Sequence, residues 1–267
     1  KPGQFTDDSS MALCLAHSLL RCKDFDPKDQ MDIYTLWWQK GYFSSTGKCF
    51  DIGNTTRKAL ELYQKTGNPY SGVMDERSAG NGSLMRLAPV VLFAYPNAQN
   101  VIHYAGESSR TTHGAQECVD ACRFYSALIY GALEGIEKNV LLDGIYTPYK
   151  NCWQQFPLSK KILEIALGSY KRKRRDKISS SGYVADTLEA ALWAFDKSTD
   201  FKSGMINAVN LGGDTDTIGA VYGQLAGAYY GEYDIPGRWV QYLYHQNAFY
   251  LKADQFLLKM IDKLQPA

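Results

Sequence analysis

The segment Gly114–Glu134, GAQECVDACRFYSALIYGALE, places Ala115, Cys118, Cys122, Tyr125 and Leu128 three or four residues apart, on one face of a helix. The same period runs outward in both directions. Upstream it is carried by Met11, Leu15, Ser18 and Leu19 after Thr6-Asp7-Asp8, then by Ile33, Leu36 and Trp37, by Ala59, Leu60 and Tyr63, by Leu84, Leu87 and Val91, and by Val101, Ile102 and Ala105. Downstream, helices are predicted over 160–170, 184–196, 201–209, 216–230 and 246–263, each bounded by Gly, Pro, Asn or Asp. No alternating apolar stretch leads into a hairpin turn. The turn-rich, aromatic stretch 138–158 reads as a long connection. The pattern predicts one all-α domain of ten to twelve helices over 1–267.

Bulk composition narrows the function classes. A net charge of +1, with 21% charged and 45% hydrophobic residues, is ordinary for a folded domain and lacks the basic excess of a nucleic-acid binder. No apolar run approaches the roughly 20 residues that span a bilayer, and a start carrying Asp7 and Asp8 is not a secretory leader. Six cysteines at 14, 22, 49, 118, 122 and 152 form no CxxC pair, so they read as core thiols in a reducing, cytoplasmic setting. The basic run Lys171-Arg172-Lys173-Arg174-Arg175 reads as a solvated loop or helix end. Neither nucleic acid nor membrane is an expected partner. Oligomeric state leaves no mark in the sequence.

Two short segments concentrate acidic and hydroxyl side chains just before apolar helices. The first is Phe5-Thr6-Asp7-Asp8-Ser9-Ser10-Met11. The second is Gly212-Gly213-Asp214-Thr215-Asp216-Thr217-Ile218-Gly219-Ala220. Helix capping accounts for one acidic residue per helix but poorly for four, because converging carboxylates repel and some must take up protons. Divalent cations would neutralise them. With only oxygen donors at hand, magnesium, manganese or calcium suits the set better than zinc. Asp214 and Asp216 match the first two ligand positions of an EF-hand, but the twelfth position is Leu225, not glutamate.

The two segments together resemble the ADP-ribosylglycohydrolase family. Three further stretches carry the same resemblance in the same order: Ser78-Ala79-Gly80-Asn81-Gly82-Ser83-Leu84-Met85-Arg86, Ser109-Arg110-Thr111-Thr112-His113-Gly114, and Ser181-Gly182-Tyr183-Val184-Ala185-Asp186-Thr187-Leu188-Glu189-Ala190-Ala191-Leu192-Trp193. The resemblance implies an orthogonal all-α bundle around a cleft holding two Mg2+ ions, with Mn2+ an alternative. It implies metal ligation by Thr6, Asp7, Asp8, Asp214, Asp216 and Thr217, with Asp7, Asp8 and Asp216 central to catalysis. It assigns Ser78, Gly80, Asn81 and Gly82 to the diphosphate, His113 to the ribose–phosphate region, and Gly182 and Tyr183 to adenosine. The implied activity is hydrolysis of the glycosidic bond between ADP-ribose and a modified protein side chain or a related ADP-ribosyl compound.

Gly80-Asn81-Gly82 is also expected to open the helix carrying Leu84 to Val91, whose N-terminal amides would cradle phosphate. Arg86 is left without a phosphate role, since a structural ion pair suits it equally. Against the family pattern, the chain is expected to lack an N-terminal helix and a glutamate-bearing flap. Ser78 stands where the nitrogenase-regulating branch has an acid. Two other functions stay open at this point: an inert ADP-ribose-binding or crystallin-like relative, and a different two-metal phosphoesterase.

Overall fold

A computed structural model describes residues 1–264. Its α-helices are α1 (Asp7–Cys22), α2 (Pro27–Lys40), α3 (Asn54–Thr66), α4 (Ala88–Ala94), α5 (Ala98–Arg110), α6 (Gln116–Leu133), α7 (Lys138–Leu141), α8 (Cys152–Gln155), α9 (Lys160–Ala166), α10 (Val184–Asp196), α11 (Phe201–Val209), α12 (Thr215–Tyr230), α13 (Gly237–Tyr242) and α14 (Gln246–Leu264). The all-α expectation is met; among the described residues the only β features are the isolated bridges Val73–His113 and Gly80–Tyr183. The count exceeds ten to twelve because single turns such as α7 and α8 form inside the 138–158 connection, where the aromatic spacing hides a helical period. No helix among the described residues is long and apolar enough to cross a membrane.

α6 is the axis of the bundle, packed against α4, α5, α9, α10 and α12. The expected single apolar face is too narrow a description. Val119, Phe124, Ala127 and Ile129 on its other sides are buried as completely as Cys118, Cys122 and Tyr125, as suits a helix that is apolar nearly all round. The face expected on α2 shifts instead: Ile33 and Trp37 are buried with Met31 and Tyr34, while Leu36 faces solvent. All six cysteines are free.

Local chemistry sets the helix ends. Asp26 caps α2 by accepting from the Lys28 and Asp29 amides, with Pro27 in the first turn and Gly41 at the left-handed C-terminus. Asn97 caps α5 and Asp200 caps α11 in the same manner. The basic run is partly fastened down. Lys173 Nζ pairs with the buried Glu189 at 2.6 Å and Arg175 donates to the Asn210 carbonyl, while Arg172 and Arg174 remain exposed.

The approach to α1 is held from both ends of the sequence. Phe5 exchanges hydrogen bonds with the Ser45 hydroxyl, at 3.2 Å through its N–H and 2.6 Å through its carbonyl. Gly3 sits at φ +83°, where a Cβ would lie 1.6 Å from the Tyr242 carbonyl oxygen, so only glycine passes there. Its carbonyl accepts from Tyr244 N at 2.9 Å, and Phe5 meets Phe249 edge-on at 5.4 Å. These contacts fix where Thr6, Asp7 and Asp8 enter the bundle.

Candidate functional site

The starts of α1, α3 and α12 and the turn after Gly80 meet at one cleft of about 320 Å³, lined by Asp7, Asp51, Thr55, Gly80, Asn81, Gly82, His113, Gly182, Asp214, Asp216 and Thr217 among others. The two acidic segments, more than 200 residues apart, therefore share a site. Backbone bonds stitch its wall: Asn81 N to Gly182 O at 3.1 Å, Val184 N to Ala79 O at 2.9 Å, and Asp214 N to Ser180 O at 2.9 Å. Gly213, at φ +63°, leaves room for Ser180, whose carbonyl oxygen a Cβ would approach to 2.3 Å.

Capping does not explain these acids. Thr6 and Asp214 occupy the N-cap positions of α1 and α12, and neither makes a side-chain cap bond. Instead the Thr6 hydroxyl donates to Asp8 Oδ2 at 2.7 Å, and Asp214 Oδ2 accepts from Asn81 Nδ2 at 2.7 Å while the same amide donates to Thr187 Oγ1 at 2.8 Å. The side chains are turned toward the cleft and its floor.

The electrostatic cost of that arrangement is large. Burial pushes the Asp7 carboxyl up to about 8, reinforced by the negative charges of Asp8, Asp51 and Asp216. Burial pushes Asp8 up to about 6, with Asp216 adding to the rise and the Thr6 and Thr217 hydroxyls opposing it. Asp8 Oδ1 is buried without a hydrogen-bond partner among the described residues. Among the described residues, no three His, Cys, Asp or Glu side chains are already drawn together tightly enough to enclose an ion. The donor set nevertheless fits hard cations. It is all oxygen, it includes a buried carboxylate atom left without a partner among the described residues, and Asp7 and Asp8 resist ionising without a compensating positive charge.

Each residue singled out from the sequence has a place. Asp7, Asp214, Asp216, Thr217, Gly80, Asn81, Gly82, His113 and Gly182 line the cleft; Asp8 lies under it, and Thr6 bonds to Asp8. Ser78 and Tyr183 stand outside, on an adjoining hollow of about 630 Å³ that shares Thr55, Gly80 and Gly182 with the cleft. Tyr183 is anchored there by its hydroxyl bond to Glu117. The helix expected to open at Gly80 does not form: residues 81–86 make successive turns and α4 begins at Ala88. Pro89 sits in the first turn of α4, where its missing N–H leaves no helical hydrogen bond unmade.

Asp51 was not expected. It lies beside Asp7 at φ +60°, just before Gly53-Asn54-Thr55-Thr56 at the start of α3. The signal was present, because an acid, a glycine and threonines ahead of a helix repeat the composition of the other two segments. Asp51 stands alone in sequence, and only the fold brings it to Asp7.

Comparison with known proteins supplies the context. A family model described as ADP-ribosylglycohydrolase matches residues 1–266. Over 255 residues the chain is 38% identical to "ADP-ribosylarginine hydrolase Tri1" of Serratia proteamaculans (strain 568), covering 96% of this chain and 67% of that protein. It is 41% identical to the protein of the same name from Pseudomonas putida (strain GB-1), covering 90% and 62%. It is 30% identical to the "ADP-ribosyl-[dinitrogen reductase] glycohydrolase" of Rhodospirillum rubrum, covering 99% and 80%. The chain thus spans about two thirds of the length of the first two relatives. A solved structure titled "ADP-ribosylglycohydrolase-related protein complex" superimposes with a TM-score of 0.81 at 45% identity, covering 97% of this chain and 82% of that one.

Proposed function

This chain belongs to the ADP-ribosylglycohydrolase family, and on that premise we propose that it hydrolyses the bond joining ADP-ribose C1 to a modified side chain, with arginine the first linkage expected. The observation that carries the proposal is the shared cleft of Asp7, Asp51, Asp214 and Asp216, with Asp8 beneath it. Thr6, Asp7, Asp8, Asp214, Asp216 and Thr217 would hold two magnesium ions. When bound, such ions neutralise the carboxylates, orient the ribose hydroxyls and make a water easier to deprotonate.

The chain's own groups do the rest. Asn81 fixes Asp214 by its amide, so the wall that receives diphosphate and the wall that receives the cation are tied together. The Gly82 N–H has no acceptor among the described residues, which leaves it free for a phosphate oxygen, from a turn rather than a helix end. The adjoining hollow beside Tyr183 takes adenosine. Asp51 lies outside the six-residue cation set and faces the same space, so it is positioned to take a proton from the attacking water as positive charge develops on the ribose.

Two measurements test the reading. Incubation with ADP-ribosyl-arginine and ADP-ribosyl-serine peptides, with and without magnesium, should release free ADP-ribose from the arginine peptide only when magnesium is present. Tight ADP-ribose binding without turnover would favour an inert reader, and release of AMP or phosphate a phosphoesterase. Asp51→Asn should lower kcat by about 10²–10³-fold, the usual scale for removing a positioned proton acceptor, with the magnesium requirement unchanged. A variant of normal kcat would remove Asp51 from the chemistry.

A further inference from the structure

Arg86 is a buried cation without an anionic partner. It is 1% exposed, and no carboxylate among the described residues pairs with it, so the ion pair considered from the sequence does not form. Its guanidinium lies 4.6 Å from the centre of the Tyr34 ring. Nη1 donates to the Gly82 carbonyl at 3.1 Å, and Nη2 to the Thr112 hydroxyl at 2.7 Å and the Ser108 carbonyl at 3.5 Å. Burying a lone guanidinium is expensive and adds little to packing that a neutral side chain could not supply.

The second link is the Thr112 hydroxyl, which is fully buried and lies 2.8 Å from His113 Nδ1. An arginine only donates, so Thr112 Oγ1 accepts from it. The hydroxyl keeps one proton of its own, and its remaining neighbour among the described residues is His113 Nδ1. That proton is satisfied only when Nδ1 accepts it, which puts the ring proton on Nε2. Burial and the nearby Arg86 charge hold the imidazole neutral, with its pKa down to about 3. The Nε2 edge faces the glycine turn: a Cβ on Gly82 would lie 3.0 Å from it, and one on Gly80 3.6 Å.

We infer that Arg86 and Thr112 are positioning residues that lock His113 in its neutral, Nε2-protonated form, making it a fixed hydrogen-bond donor to the substrate's diphosphate. Because the same guanidinium grips the Gly82 carbonyl, the ring and the turn that together receive the phosphates are set by one buried group. The identity of the anion rests on the function proposed above; the tautomer does not. A histidine so held neither takes nor gives a proton during turnover.

The test uses the full chain with ¹⁵N-labelled histidine. Long-range ¹H–¹⁵N spectra of the imidazoles, with His113 assigned by its loss in His113→Gln, should show Nε2–H and bare Nδ1, unchanged from pH 5 to 8. Thr112→Val should release the ring to a mixture of tautomers and weaken ADP-ribose binding by calorimetry about tenfold, the worth of one hydrogen bond to a charged oxygen. Thr112→Ser, which keeps the hydroxyl, should restore both. A protonated Nδ1 in the unaltered chain overturns the inference, as does Thr112→Val with an unchanged tautomer or unchanged ADP-ribose affinity. If the unaltered chain binds no ADP-ribose, the proposed function fails, while the spectra still decide the lock.

Discussion

Asp216→Asn is expected to lower kcat/KM for ADP-ribosyl-arginine peptide by about 10³-fold, the scale on which a preorganised electrostatic contact is worth several kcal/mol. The same substitution should raise the melting temperature of the protein in chelator. Asp216 stands in the first turn of α12, and its negative charge is among the causes that raise both Asp7 and Asp8. Asparagine keeps the shape and the helix start but removes one of several repelling charges. A residue that served the fold would show the opposite sign, losing stability along with activity. Magnesium should stabilise the variant less than the parent. Full turnover at saturating magnesium, or a variant that melts lower in chelator, would remove Asp216 from the cation set.

Much of this site was legible in the sequence, and what was missed has a physical reason. The helices that carry their own period and a capping side chain, such as α5 with Asn97 and α11 with Asp200, could be placed because those signals are local. The acidic starts of α1 and α12 could be paired because their composition exceeds what capping requires. Asp51 was invisible because its importance lies in a contact with Asp7 across 44 positions, created by how residues 41–53 fold back on the α1 approach. The turn at 81–86 reads as helix in the sequence because Leu84, Leu87 and Val91 keep a helical spacing and are all buried, although only Val91 lies in a helix and Leu84 sits in the turns ahead of α4. Arg86 shows the limit most sharply. From the sequence it could be a phosphate ligand or half of an ion pair, and it is neither, because the groups that receive it come from α2 (Tyr34), α5 (Ser108), the turn after α5 (Thr112) and the turn before α4 (Gly82).

The melting temperature in chelator should fall by roughly 10 °C between pH 5 and pH 8, at the few degrees per kcal/mol typical of chains this size. Asp7 titrates near 8 when folded against 3.8 as an isolated side chain, and Asp8 near 6 against 3.8. Below 3.8 both states hold the protons and neither group alters stability. Above it the unfolded chain releases them while the folded protein retains them, so folding becomes less favourable with each pH unit. Both groups contribute up to about pH 6, Asp7 alone from there to about 8, and the decline then ends. Magnesium should reverse the trend, since a cation competes with protons for the same oxygens and binds more tightly as they leave. The stabilisation by magnesium should accordingly grow from pH 5 to pH 8. Asp216→Asn should flatten the decline in chelator, because one of the charges that raises Asp7 and Asp8 is gone. A melting temperature that rises with pH in chelator, or a magnesium effect that does not grow, would mean that these carboxylates ionise without help and that their convergence serves something other than a cation.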